Sequence, residues 1–347
     1  MRSIVDPGLE RSARLGVLGT ADFFVYAVLG AAVGLAVAVL EWLAVEVILH
    51  AVLDAGLLVQ AVLPIVGLLI ATLIVTRVRE ASRSTSDTYI QAFHTDETLS
   101  MSALAPTLAA SGSTIGLGGA LGFEGPAVLL GSTFGEAMAQ RLKRFSGLSH
   151  RALLAAGAAA GVAAVFKAPA TGVLFALESP YKRDLARHAL IPTLVASSAS
   201  YLVFVLLLGQ ERLLRIGPAD LSLRHEVGGA IILGILGGLT ARATSSIFQW
   251  SKYLPVKQSA VRRLPVVAVL LVGCVVAATA LVDLPATLGP GAEMAVHVVL
   301  DAELSVWVII ALFGLRVVAT SATLAGGGVG GVFIPCLLYT SPSPRDS

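Results

Sequence analysis

Gly116-Leu-Gly-Gly-Ala-Leu-Gly-Phe-Glu-Gly-Pro126, running into Ala127-Val-Leu-Leu-Gly131, decides how this 347-residue chain is read. Glu124 is the only charged residue between Glu97 and Glu136. The surrounding glycines disfavour a continuous helix and let the backbone come close to a partner. Pro126 suits the first turn of a new helix, where its missing N–H is not needed. The stretch therefore predicts a helix broken inside a membrane, whose fresh N-terminus presents free N–H groups and the positive end of a dipole. That arrangement favours an anion. The plainer reading is a Gly-rich surface loop with Glu124 solvated. An ionisable residue buried at a helix break, by contrast, marks a functional site.

Composition supports the membrane setting. Hydrophobic residues make up 56% of the chain and charged residues 13%, against about 25% charged in soluble domains. Mean hydropathy is +0.85. Thirty-five glycines suit closely packed membrane helices, and Gly30/Gly34, Gly157/Gly161 and Gly234/Gly238 each give a small-residue face. A net charge of +2 and short basic connectors such as Arg141-Leu-Lys-Arg144 point to lipid headgroups rather than nucleic acid. Cys274 and Cys336 are isolated and make neither a disulfide framework nor a metal site. The first long apolar run, from about Phe23, exceeds a signal-peptide core. Its Arg2/Arg11/Arg14 flank is expected on the cytoplasmic side.

Apolar runs then follow near 22–50, 56–76, 101–119, 127–138, 152–161, 171–178, 189–208, 227–248, 264–282, 294–300 and 305–323. Several are too short to cross a hydrocarbon core, which takes about 20 residues; interrupted pieces are the signature of broken transporter helices. Between them, Arg83-Ser-Thr-Ser-Asp-Thr88 is hydroxyl-rich. It could contact an anion, or Ser86 or Asp87 could simply cap the helix that follows. Gly326-Gly-Gly-Val-Gly-Gly-Val-Phe-Ile-Pro335 is a second Gly-rich run ending in proline. It stands in its half as Gly118 to Pro126 stands in the first, which suggests an inverted repeat with a site between the halves.

No enzyme motif is present: His225-Glu226 lacks a second metal-ligating histidine, and no Gly-rich run continues into a Lys-Ser/Thr pair. His297, on an apolar segment, reads as a packed histidine. No nucleophile is marked out by a neighbouring base, so an intramembrane enzyme is a remote alternative. No cofactor is expected. Anion passage has its parts: two helix breaks to supply N–H donors, and a carboxylate that occupies the site when ionised and leaves it when protonated.

These motifs resemble the CLC chloride channels and chloride/proton antiporters over about residues 21–338. Gly122-Phe-Glu-Gly-Pro126 is similar to the family's GxEGP motif, whose glutamate is the external gate. Ala155 to Gly161 with Lys167 to Glu178 resembles the segment that follows it, and Gly331-Val-Phe-Ile-Pro335 resembles GxFxP. The resemblance implies an all-α polytopic membrane protein with broken helices and inverted repeats. Glu124 would be the gate, and the backbone around Gly122, Phe123, Gly125, Val332 and Phe333 would bind the anion. It implies chloride or another small anion as the cargo, protons as a possible second one, and a homodimer in the bilayer of the cell membrane.

Four departures qualify it. Phe123 replaces an arginine usual before the gate. The GSGxP loop is replaced by Arg83 to Asp87, with Ser84 the best-placed match and Ser86 a rival. Ser179 stands where antiporters commonly carry a second, inner glutamate, and a hydroxyl does not titrate near neutral pH. Coupling to protons is therefore expected to be weak or absent, with antiport and fluoride export as alternatives. Finally, Tyr339 to Ser347 is polar and foreign to the pattern, where the family continues with further helices and a tyrosine that Tyr339 does not match. The expected organisation is a cytoplasmic tail (1–21), a first repeat (22–208), a connector (209–226), an incomplete second repeat (227–338) and the divergent tail (339–347).

Overall fold

The computed structural model describes residues 19–78, 85–95, 98–142, 148–181, 184–210, 223–253, 260–291 and 304–332. Ser84, Phe333, Cys336, His297, the expected helix at 294–300, the tail 339–347 and most of the 209–226 connector lie outside them. So does the side chain of Ser86.

The described chain is all helix apart from one two-residue bridge. Helix α1 spans Thr20–Leu53 and widens to π-helical geometry over Trp42–Leu49. It is followed by α2 (Leu57–Arg77), α3 (Ser86–His94), α4 (Met101–Gly116), α5 (Glu124–Leu142), α6 (His150–Phe166), α7 (Pro169–Glu178) and α8 (Leu190–Leu208). The second half holds α9 (Leu223–Tyr253), α10 (Ala260–Val282) and α11 (Val306–Ala325). Among the described residues six helices are long and apolar enough to cross a membrane: α1, α2, α8, α9, α10 and α11. The protein is a multi-pass integral membrane protein.

Helix α6 is the centre of the first half. Its Ala/Gly sequence has no polar face, and every residue from Ala152 to Ala164 is buried, as expected of a helix apolar all round. It packs against α5, α7 and α8. Contact with α5 is backbone on backbone: a β-carbon on Gly157 would stand 2.7 Å from the carbonyl carbon of Gly131. Gly30 and Gly34 likewise seat α1 on α8, where added β-carbons would stand 2.8 and 2.9 Å from Cα of Ala196 and Ser200. Gly234/Gly238 is different, since added β-carbons there would meet nothing within 4 Å. Spacing alone does not make a packing face.

Helix α5 begins at Glu124 and ends at Leu142, longer at both ends than the apolar run 127–138 suggested. The polar residues Glu136, Gln140 and Arg141 carry the helix past the point where hydropathy fades. Glu136 is fully buried. It accepts hydrogen bonds from Gln140 Nε2 at 2.8 Å and from His150 Nε2 at the start of α6. These satisfy a carboxylate that burial would otherwise penalise.

Candidate functional site

Two helices end alike, and this positions the site. At the end of α4 the N–H of Gly118 bonds to Ile115 O at 3.0 Å and that of Gly119 to Thr114 O at 2.7 Å. At the end of α11, Gly327 bonds to Leu324 O at 3.0 Å and Gly328 to Thr323 O at 2.9 Å. Both are Schellman caps, and both place glycine at the left-handed position: Gly118 at φ +97° and Gly327 at φ +90°. Each cap turns the chain out of its helix into a Gly-rich run, and the two runs meet. Gly122 N–H donates to Gly331 O at 3.2 Å, and Gly331 N–H to Gly122 O at 2.7 Å.

Hydroxyls from each half hold the other half's run. Thr114 Oγ1 donates to Ala110 O at 2.9 Å and accepts from Val329 N–H at 3.1 Å. Ser111 Oγ donates to Val329 O at 3.1 Å. In return, Thr323 Oγ1 accepts from Ala120 N–H at 3.3 Å. A hydroxyl can do this because it carries one donor and two acceptor lone pairs.

Glu124 sits at the junction as the first residue of α5. Its Oε2 is buried with no hydrogen-bond partner among the described residues. This excludes the solvated surface loop. Close approach needs glycine here: a β-carbon on Gly331 would lie 2.5 Å from the backbone nitrogen of Gly125, and one on Gly122 would displace the carboxyl group. One on Gly125 would strike Thr85 Oγ1 and approach Gly331 Cα to 3.0 Å.

The remaining sequence-predicted residues divide by position. Gly122, Phe123 and Gly125 surround Glu124 in the chain, but the Phe123 side chain is buried against Ala44, Ile115 and Leu121, with Val332 packed beside them. Phe123 can therefore serve the site only through its backbone. In the hydroxyl-rich stretch, the side chain that reaches Gly125 is that of Thr85, buried at 3% exposure. Sequence reading weighed its neighbours Ser84 and Ser86 instead. Ser179 is not part of the junction. It caps the end of α7, and the carbonyl of the next residue, Pro180, meets His94 at the far end of α3. With nine residues α3 is about 13 Å long.

Arg316 was missed. It lies on α11 and attracts Glu124 electrostatically. Nη1 donates to Thr287 O at 3.0 Å and Leu288 O at 3.3 Å, and Nη2 to Gly289 O at 2.5 Å and Pro290 O at 2.7 Å. The guanidinium thus fixes the loop after α10. Gly289 in turn bonds to Gly118 O at 3.1 Å, so that loop rests on the first cap. The signal was in the sequence: Arg316 is the sole charge between Glu303 and Arg345.

The voltage gated chloride channel family matches residues 66–341. The chain belongs to this family. Its similarity extends to the H(+)/Cl(-) exchange transporter ClcA of Vibrio cholerae, 27% identical over 228 residues, which are 64% of this chain and 48% of the relative. ClcA of Salmonella typhimurium is 28% identical over 236 residues, 65% of this chain and 47% of the relative. The chain spans about half the length of these transporters. Among solved structures, a slow cyanobacterial Cl-/H+ antiporter superposes with a TM-score of 0.77 at 20% identity, covering 92% of this chain and 77% of that one. A CLC-type fluoride/proton antiporter gives 0.70 at 20% identity, covering 92% and 80%. The fold is thus that of CLC transporters, and the family is one of channels and transporters rather than enzymes.

Proposed function

We propose that this family member carries chloride or a similar small anion across a cell membrane, through a path gated by Glu124. The observation that carries the reading is the junction of two capped Gly-rich runs around a carboxylate whose Oε2 is buried and unpartnered. Backbone N–H groups of Phe123, Gly125, Val332 and Phe333 are the anion's proposed donors, aided by the positive end of α5, while the N–H of Gly122 is engaged with Gly331 O. Thr85 is the proposed hydroxyl contact, with Ser84 and Ser86 as rivals. An ionised Glu124 competes for this space. A protonated one is free to leave it, which opens the path.

Ser179 favours channel-like or weakly proton-coupled transport, because the position has no group that titrates near neutral pH. The second reading is chloride/proton or fluoride/proton antiport, favoured by what the similar transporters and structures are. The matching caps on α4 and α11 support two repeats, 22–208 and 227–338, related by inversion about the junction. We propose a homodimer on family grounds.

Paired chloride and proton fluxes in liposomes test these readings, with Glu124→Ala beside the parent protein. Chloride flux without proton movement supports the first. Uphill proton movement driven by chloride and lost in Glu124→Ala supports antiport. Fluoride flux without chloride flux moves the selectivity to fluoride, and no anion flux overturns transport.

A further inference from the structure

At the end of α5 opposite Glu124 lies a cavity of about 560 Å³ between α1 and α5. Its walls are apolar, including Phe24, Val28, Phe134 and Met138, and among the described residues Arg141 is the only charged one lining it. Phe24 is 66% exposed and Val28 58%, so the cavity opens sideways from a membrane-length helix. Helix α1 is long and apolar enough to cross a membrane, so an opening on its flank favours acyl chains over water. No carboxylate pairs with Arg141 among the described residues.

The sequence supplies two basic flanks, Arg2/Arg11/Arg14 before α1 and Arg141-Leu-Lys-Arg144 across the end of α5. Basic flanks of this kind face the cytoplasm, where the leaflet is anionic. We propose that this groove binds one anionic phospholipid, with an acyl chain along Phe24, Val28, Phe134 and Met138 and its phosphate at Arg141. An apolar slot with one guanidinium at its mouth matches that molecule in both chemistry and order. Arginine suits the phosphate because its planar fork offers paired donors. A zwitterionic lipid fits the slot equally well but gains less at its mouth.

The test is native mass spectrometry of the full chain, extracted from vesicles of equal parts phosphatidylglycerol and phosphatidylethanolamine with identical acyl chains. The parent protein should retain phosphatidylglycerol in preference. Arg141→Gln should lower that retention about five-fold, the worth of one basic residue near an anionic surface, while Arg141→Lys keeps most of it. Val28→Trp, at an exposed position that a larger side chain fills without disturbing the core, should lower retention of both lipids. Equal retention of the two lipids by the parent protein, or no retained lipid, overturns the proposal. So does retention unmoved by Arg141→Gln. Retention unmoved by Val28→Trp would place the lipid elsewhere and leave the groove to a protein segment.

Discussion

Replacing Thr114 by valine removes one oxygen and almost no volume, which isolates the hydroxyl's work. Thr114, Ser111 and Val329 are all fully buried. In the parent protein the Thr114 oxygen accepts from Val329 N–H at 3.1 Å, across 215 residues of sequence. Valine leaves that N–H buried with no acceptor, at a cost of about 1–3 kcal/mol. The loss falls on the segment Gly328–Gly331, so opening of that segment should become roughly 5- to 150-fold more frequent. Hydrogen exchange read by mass spectrometry on peptides covering 326–332 measures this directly. Peptides from α6 serve as the internal control for global loosening. Ser111→Ala should do less, because it frees the Val329 carbonyl, and an under-satisfied carbonyl costs less than an orphaned N–H. The double variant should fall short of the sum, since both hydroxyls tie the same residue. Unchanged exchange in 326–332 for Thr114→Val would refute the view that hydroxyls of the first half hold the second Gly-rich run in place.

Gly157→Ala should destabilise the protein by about 1–3 kcal/mol, because its β-carbon enters the Gly131 backbone. Gly234→Ala, in open surroundings, should be neutral or stabilise α9 by about 0.5–1 kcal/mol. Thermal unfolding in detergent compares the two, and equal effects would contradict the packing described. Arg316→Lys keeps the charge but lacks the fork that reaches four carbonyls. Exchange in 287–290 should therefore rise as it does in Arg316→Met, whereas full rescue by lysine would show that charge alone matters. Thr85→Val should weaken anion affinity about ten-fold or more, the worth of a hydrogen bond to a charged group, while Ser86→Ala changes it little. The reverse ranking, read by titration calorimetry, would return the role to Ser86.

The long helices were legible because α1, α2, α8, α10 and α11 are runs of apolar residues with few charges, and membrane burial demands nothing subtler. Glu124 was legible as a solitary charge among glycines. Arg316 carried the same signal but stood inside an apolar helix, ten residues before its Gly-rich run. Partners across the halves were not legible. Ser111, Thr114 and Thr323 look like ordinary helix hydroxyls, and local sequence does not reveal which one faces a chain segment some 200 residues away. That Thr85 rather than Ser84 or Ser86 is the hydroxyl reaching Gly125 was equally closed to sequence, since it depends on how the start of α3 packs against a run some 40 residues later. The π-helical stretch Trp42–Leu49 gave no warning either. Its composition is that of any apolar helix.

The most direct test of the account is chloride flux against pH in liposomes, with proton flux recorded in parallel, for the parent protein and Glu124→Gln. If Glu124 occupies the junction when ionised and vacates it when protonated, parent flux rises as the pH falls. Glu124→Gln should then conduct at a high rate that does not vary with pH. A Glu124→Gln protein whose chloride flux keeps the parent's pH dependence would contradict the account.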